Sequence, residues 1–227
     1  MYYYYYSNYG LILLALAISL IAQGVISINY SKYKKIKNKK GITGAEVARE
    51  ILSKNGLDNV YVVETGGHLS DHYDPRRKTV RLSSEIYNGV SIAAIAVAAH
   101  ECGHALQDKN NYVFLRIRSM LVPLVNFSSY AGYLAVLIGI IFSYTNLIWI
   151  GIILECVILL FQLITLPVEF NASSRALKKI KEYNIVDNDE LKGSRKMLTA
   201  AAMTYVASVA SAVLQILRLV LIARDRD

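Results

Sequence analysis

Cysteine is scarce in this chain: there are two in 227 residues, and they are not spaced as a pair. Cys102 sits inside a histidine motif and Cys156 inside an apolar stretch, which excludes a disulfide scaffold and a zinc ribbon and leaves two free thiols. With only four histidines, any metal site must also draw on carboxylates. No lysine or arginine precedes the first apolar run, so the basic segment that opens a cleaved signal peptide is missing. Acidic residues number 17 against 25 lysines and arginines, a net charge of +8. Those cations gather beside apolar stretches and do not alternate with aromatics, which points to membrane topology and anionic lipid and away from nucleic acid.

Apolar residues are plentiful. At 54% hydrophobic and 19% charged, the chain is too oily for an ordinary soluble domain and too charged for membrane spans alone. Runs at 10–29, 121–142, 147–166 and 199–222 approach or exceed the ~20 residues that cross a bilayer core. The first reads as an uncleaved anchor with its amino terminus outside, because Lys32, Lys34, Lys35, Lys37, Lys39 and Lys40 follow it. Tyr2 to Tyr6 suit an interfacial belt or are a low-complexity feature without consequence. Only Ser143-Tyr144-Thr145-Asn146 separates the second and third runs, so they form an antiparallel hairpin. Arg116 and Arg118 before it, and Arg175, Lys178, Lys179 and Lys181 after it, put both open ends in the cytoplasm. The fourth run, interrupted by Gln215 and Arg218, either packs obliquely or, as we read it, spans.

Between the first two runs lies a soluble portion. Thr43-Gly44-Ala45-Glu46 is a capping box opening a short helix with Val47, Ile51 and Leu52 inward and Asn55-Gly56 as its stop. Segments 60–64 and 79–82 read as a two-stranded hairpin around the turn-rich stretch 65–78, and 79–82 could offer an open edge to an extended peptide. Residues 91–107, alanine-rich and free of proline, read as a helix. The resulting division is an anchor at 1–29, a cytoplasmic portion with hairpin and motif helix at 30–120, and a transmembrane hairpin at 121–166. A third-ligand helix and cytoplasmic loop follow at 167–198, with a C-terminal apolar helix at 199–227.

The motif is His100-Glu101-Cys102-Gly103-His104. On a helix its histidines share one face, where they can take adjacent corners of a tetrahedral zinc ion, and Glu101 beside them can handle the proton of a metal-activated water. Ala93, Ala96 and Gln107 share that face with Gly103 at its margin, leaving room for a second helix to bring another ligand. Glu169 is the best candidate, since the membrane hairpin returns it to the side from which it left, and Ala172, Ser173 and Ala176 share its helical face. Glu155 competes, but at ~1.5 Å per residue it lies ~17 Å into the membrane from Leu166, where it could pair with Arg218. His72 or Tyr73 in the loop could hydrogen-bond a developing oxyanion, although a turn of Gly, Asp, His and Pro is often only a turn; Tyr205 is a weaker candidate of that kind and His68 has no legible role.

The chain resembles the YugP-like neutral zinc metallopeptidases, a family of bacterial membrane proteins, over nearly its whole length. The likeness rests on Gly44-Ala45-Glu46-Val47-Ala48, His68-Leu69-Ser70-Asp71-His72-Tyr73-Asp74-Pro75-Arg76, Ala98-Ala99-His100-Glu101-Cys102-Gly103-His104-Ala105 and Leu166-Pro167-Val168-Glu169-Phe170-Asn171-Ala172-Ser173. It implies a zinc-dependent membrane endopeptidase with His100, His104 and Glu169 as ligands, Glu101 as base and a working role for the His72 loop. A more distant similarity is to HtpX-type and CAAX-processing membrane peptidases, whose third-ligand glutamate opens a Glu-x-x-Ala-Asp run. Here Ser173 stands in place of that aspartate, so the aspartate's own contact and the prenyl-protein substrate are not carried over.

The expectation is therefore a mainly α-helical integral membrane zincin with about four transmembrane helices and a small cytoplasmic α+β portion. It would hydrolyse peptide bonds with Zn2+ at the cytoplasmic face of a bacterial plasma membrane. Its partners would be a protein or peptide substrate, the lipid bilayer, and an accessory membrane protein or a second copy; nucleic acid is not among them. The rival is a non-catalytic membrane scaffold with a structural zinc site, which would close with four protein ligands and have no use for Glu101.

Overall fold

The computed structural model describes the backbone of residues 2–225 and the side chains of 9–225; the tyrosine side chains expected in an interfacial belt lie outside the described residues. Seven helices and three strands follow in the order α1 (Tyr2–Lys34), α2 (Gly44–Ser53), β1 (Tyr61–Thr65), β2 (His72–Asp74), β3 (Thr79–Ser83), α3 (Ser84–Tyr87), α4 (Ile92–Lys109), α5 (Val113–Ile141), α6 (Thr145–Glu182) and α7 (Asn188–Arg224). They divide into a unit of residues 1–24, 116–167 and 203–227 and a unit of residues 25–115 and 168–202.

The first unit holds apolar segments of α1, α5, α6 and α7, four helices long and apolar enough to cross a membrane. Glycines bring α5 and α6 together. A Cβ on Gly151 would lie 2.3 Å from Val136 Cγ2, and one on Gly139 would lie 2.8 Å from Ile148 Cγ1, so only the missing side chains permit this approach. Ile148 and Ile152 pack with Leu219 and Ala223 of α7 into a small core. Leu13, Leu20, Phe127 and Leu163 remain exposed, the surface that lipid tails would cover. The pairing of Glu155 with Arg218 does not form: Arg218 Nη1 donates to Gln215 Oε1 at 3.4 Å, one turn away on its own helix.

The second unit is built around α4. Ala94, Ile95, Ala96, Ala98, Ala99 and Cys102 are fully buried, and the core also takes Val47, Ile51 and Leu52 from α2, as the amphipathic pattern predicts. Thr43 caps α2 in both directions: its hydroxyl accepts from Glu46 N at 3.2 Å and its own N–H donates to Glu46 Oε2 at 2.7 Å. Ser91 caps α4 by accepting from Ala94 N at 3.1 Å. Gly56 ends the α2 connection at φ +63°, a conformation glycine adopts without strain.

The sheet departs from expectation. Its order is β1-β3-β2, with β1 parallel to β3 and β2 antiparallel to it. The segments read as one hairpin are thus parallel neighbours, and the stretch read as their turn contains a third strand. The true hairpin is β2–β3, closed by Asp74, whose Oδ1 accepts from Arg76 N at 3.0 Å and Arg77 N at 3.1 Å. Consequently β3 is central, with both edges occupied, and cannot add a peptide strand; the open edges belong to β1 and β2. Apolar alternation marks a strand but carries no sign of its partner's direction, which is why the sequence could not distinguish the two arrangements.

Candidate metal centre

His100 and His104 stand one turn apart on α4, and α6 carries Glu169 opposite them. Their closest approach is made possible by Gly103: a Cβ there would lie 2.4 Å from the carbonyl oxygen of Ala172. The small faces derived separately for the two helices therefore do meet, with Ala172, Ser173 and Ala176 buried. Glu169 is 3% exposed, and its Oε2 lies 3.2 Å from His100 Nε2 and 3.6 Å from His104 Nε2. One ligand atom from each of the three residues falls within 4.8 Å of the others. Ligands bound at ~2.0–2.1 Å to a tetrahedral zinc stand ~3.3 Å apart, so the donor set fits that ion in both spacing and chemistry.

The far nitrogens of both imidazoles are also held. His104 Nδ1 donates to Gln107 Oε1 at 3.0 Å, and His100 Nδ1 donates to Ser173 Oγ at 3.2 Å, which turns both Nε2 lone pairs toward Glu169. Gln107, fully buried, spends its amide on α6: Nε2 donates to Val168 O at 2.7 Å and Asn171 Oδ1 at 3.1 Å, and Asn171 Oδ1 also accepts from Arg175 Nε at 2.7 Å. Sequence reasoning put Gln107 on the ligand face but gave it no role. The available signal was its i+3 spacing from His104. Ser173, noted as a departure from an aspartate-bearing pattern, supplies a neutral contact to His100.

Charge follows the same geometry. Burial alone would raise the Glu169 carboxyl, but hydrogen bonds from His100 and His104 outweigh it and hold the group well below the usual carboxylate range. Burial pulls His104 down, yet its bond to Glu169 and the charges of Glu101 and Glu169 prevail and raise it. Burial pushes the Cys102 thiol far up, and its Sγ points to Ala48 O at 3.6 Å, so it is a packing residue and no ligand. Glu101 is 8% exposed and accepts no hydrogen bond from any described residue, which leaves its carboxylate free to take a proton.

The loop residues are placed differently. His72 is exposed on β2, with Nδ1 donating to Ser70 O at 2.8 Å. Tyr73 is not available as an oxyanion donor, because its hydroxyl donates to Asp108 Oδ2 at 2.8 Å. Asp71 ties the loop to the end of β3, its Oδ1 accepting from Ser83 N at 2.7 Å and Ser83 Oγ at 3.1 Å. His68 is exposed, 3.7 Å from Glu85 Oε2 and edge-on to Tyr30. Tyr205 lies on α7 within the other unit.

Residues 8–224 match the family described as "Putative neutral zinc metallopeptidase". A protein of Bacillus subtilis (strain 168) named "Putative membrane protease YugP" is 49% identical over 208 residues, which cover 92% of each chain. No solved structure matches.

Proposed function

Because this chain belongs to that zinc metallopeptidase family, we propose that it is a multi-pass membrane endopeptidase that hydrolyses peptide bonds at the cytoplasmic surface of the bacterial plasma membrane. One observation carries the reading: two histidines of α4 and a carboxylate of α6 converge within 4.8 Å, beside a glutamate that no described residue occupies. Three protein ligands leave a position open, whereas a structural site closes with four. His100, His104 and Glu169 are the residues that hold zinc. When bound, zinc supplies Lewis acidity toward the scissile carbonyl and the attacking water.

Glu101 takes the proton of that water as it adds to the carbonyl and returns it to the departing amine. Gln107 and Ser173 keep the two imidazoles turned so that Nε2 faces inward. His72 serves the developing oxyanion. With Nδ1–H committed to Ser70 O, its Nε2 can donate only from the protonated ring. The cytoplasmic orientation is supported by the lysines that follow the first span and the basic residues that flank the helical hairpin.

The test is metal content by mass spectrometry on wild type, Glu169→Gln and Glu101→Gln, with casein cleavage measured on the same samples. The expected result is about one zinc and cleavage for wild type, loss of both for Glu169→Gln, and retained zinc without cleavage for Glu101→Gln. Retention of zinc by all three with no cleavage by any would replace this reading with the scaffold.

A further inference from the structure

Within the soluble unit, the end of α6 and the start of α7 leave an open groove of about 480 Å³ between them. Phe170 and Leu177 of α6 and Leu191 and Leu198 of α7 make its walls apolar. Lys178, Lys181 and Arg195 also line it, and no acidic residue does. The imbalance is confined to this face. Neighbouring Lys179 pairs with Glu182 at 3.1 Å and Lys192 with Asp189 at 3.0 Å, whereas none of the three groove cations has a carboxylate partner among the described residues. Three like charges over apolar walls repel one another and favour an incoming anion.

The groove also reaches the metal centre. Ser173, whose hydroxyl touches His100, forms part of its wall, and Phe170 directly follows Glu169. A chain leaving the scissile position can thus enter it without crossing another element of this unit. At ~1.5 Å per residue, Lys178 and Lys181 lie ~14 and ~18 Å along α6 from Glu169. That is the reach of roughly four to five extended residues at ~3.4 Å each.

We infer that this groove is a substrate subsite that takes an acidic side chain of the peptide, roughly four or five residues from the bond that is cut, with apolar neighbours against its walls. The inference rests on the hydrolase reading. Recognition of peptide carboxylate is favoured over lipid headgroup because the groove continues from the metal ligands themselves.

The experiment uses the full zinc-loaded chain in non-ionic detergent and a set of quenched fluorescent peptides of leucine and alanine. A single Glu, Gln or Lys is moved through each position on both sides of the cut. Glu four or five residues away should raise kcat/KM by about three- to tenfold over Gln, through KM, and Lys should lower it. In the variant combining Lys178→Glu, Lys181→Glu and Arg195→Glu, the Glu-to-Lys ratio should invert. Equal rates for Glu, Gln and Lys at every position would overturn the subsite, as would a preference that survives the triple reversal.

If wild type cleaves no peptide, the hydrolase reading fails by itself, and the groove is still decided by fluorescence anisotropy of the same peptides on the Glu101→Gln protein. Tighter binding of the Glu peptide, lost on triple reversal, keeps the subsite. Binding that does not distinguish Glu from Gln, alongside phosphatidylglycerol binding that the triple reversal abolishes, makes the groove a lipid site and overturns the proposal.

Discussion

Gln107 Oε1 stands 3.0 Å from His104 Nδ1 while its own amide nitrogen reaches two acceptors on the helix that carries Glu169. One buried side chain therefore fixes the tautomer of one ligand and the position of the helix bearing another. Gln107→Leu, which keeps the volume and removes both functions, should weaken zinc affinity by about 10–100-fold. Competition with a chromogenic chelator measures it. An unchanged affinity would mean that packing alone orients His104.

Gly103 is the second point where the two helices depend on one residue. A Cβ placed 2.4 Å from Ala172 O has backbone in its way, so α4 and α6 must separate. Gly103→Ala should cost about 1–3 kcal/mol of stability and reduce zinc content. Thermal unfolding of the metal-free and metal-loaded proteins should show a larger loss in the loaded form.

Asp71 accepts from the backbone and hydroxyl of Ser83 and so holds the loop that precedes His72. Asp71→Ala leaves that N–H without its acceptor, at a cost of about 1–3 kcal/mol. Hydrogen exchange should quicken in residues 66–72 while zinc content stays at the wild-type level. His72→Ala should also retain zinc and should lower kcat more than it raises KM; a pure KM effect would place His72 in binding.

In the metal-free protein, His104 is raised above its ordinary 6.5 and Glu169 lowered below its ordinary 4.5. The His104 share of stability is full below pH 6.5 and is lost as pH rises through its folded value. The Glu169 share is present above pH 4.5 and is lost as pH falls through its own. Their joint contribution is therefore complete between those two values. Because the His104 proton must leave before Nε2 can bind a metal, zinc affinity should climb as pH rises past 6.5, with proton release. Calorimetry in buffers of different ionisation enthalpy reads the released proton; a flat affinity from pH 6 to 9 would show that Glu169 holds none.

Much of this protein was set by one-dimensional patterns. The apolar runs fixed four membrane-length helices, since the number of residues needed to cross a bilayer does not depend on what packs against them. The His-x-x-x-His spacing placed two imidazoles on one face because helical geometry is local. Thr43 and Glu46 could be read as a capping box for the same reason. Glu169 was also legible, because a short turn between two long helices leaves little choice about where the chain returns.

The tertiary structure decided what depends on partners far apart in the chain. It made β1 and β3 parallel and closed the edge expected to be open, since the direction of a neighbouring strand leaves no mark on alternation. It gave Tyr73 to Asp108, left Glu155 without Arg218 and turned Gln107 from a small-face neighbour into the link between two helices. It left Lys178, Lys181 and Arg195 facing one groove, because a side chain's partner is set by the close approach of two backbones, and that approach is fixed by packing over the whole unit.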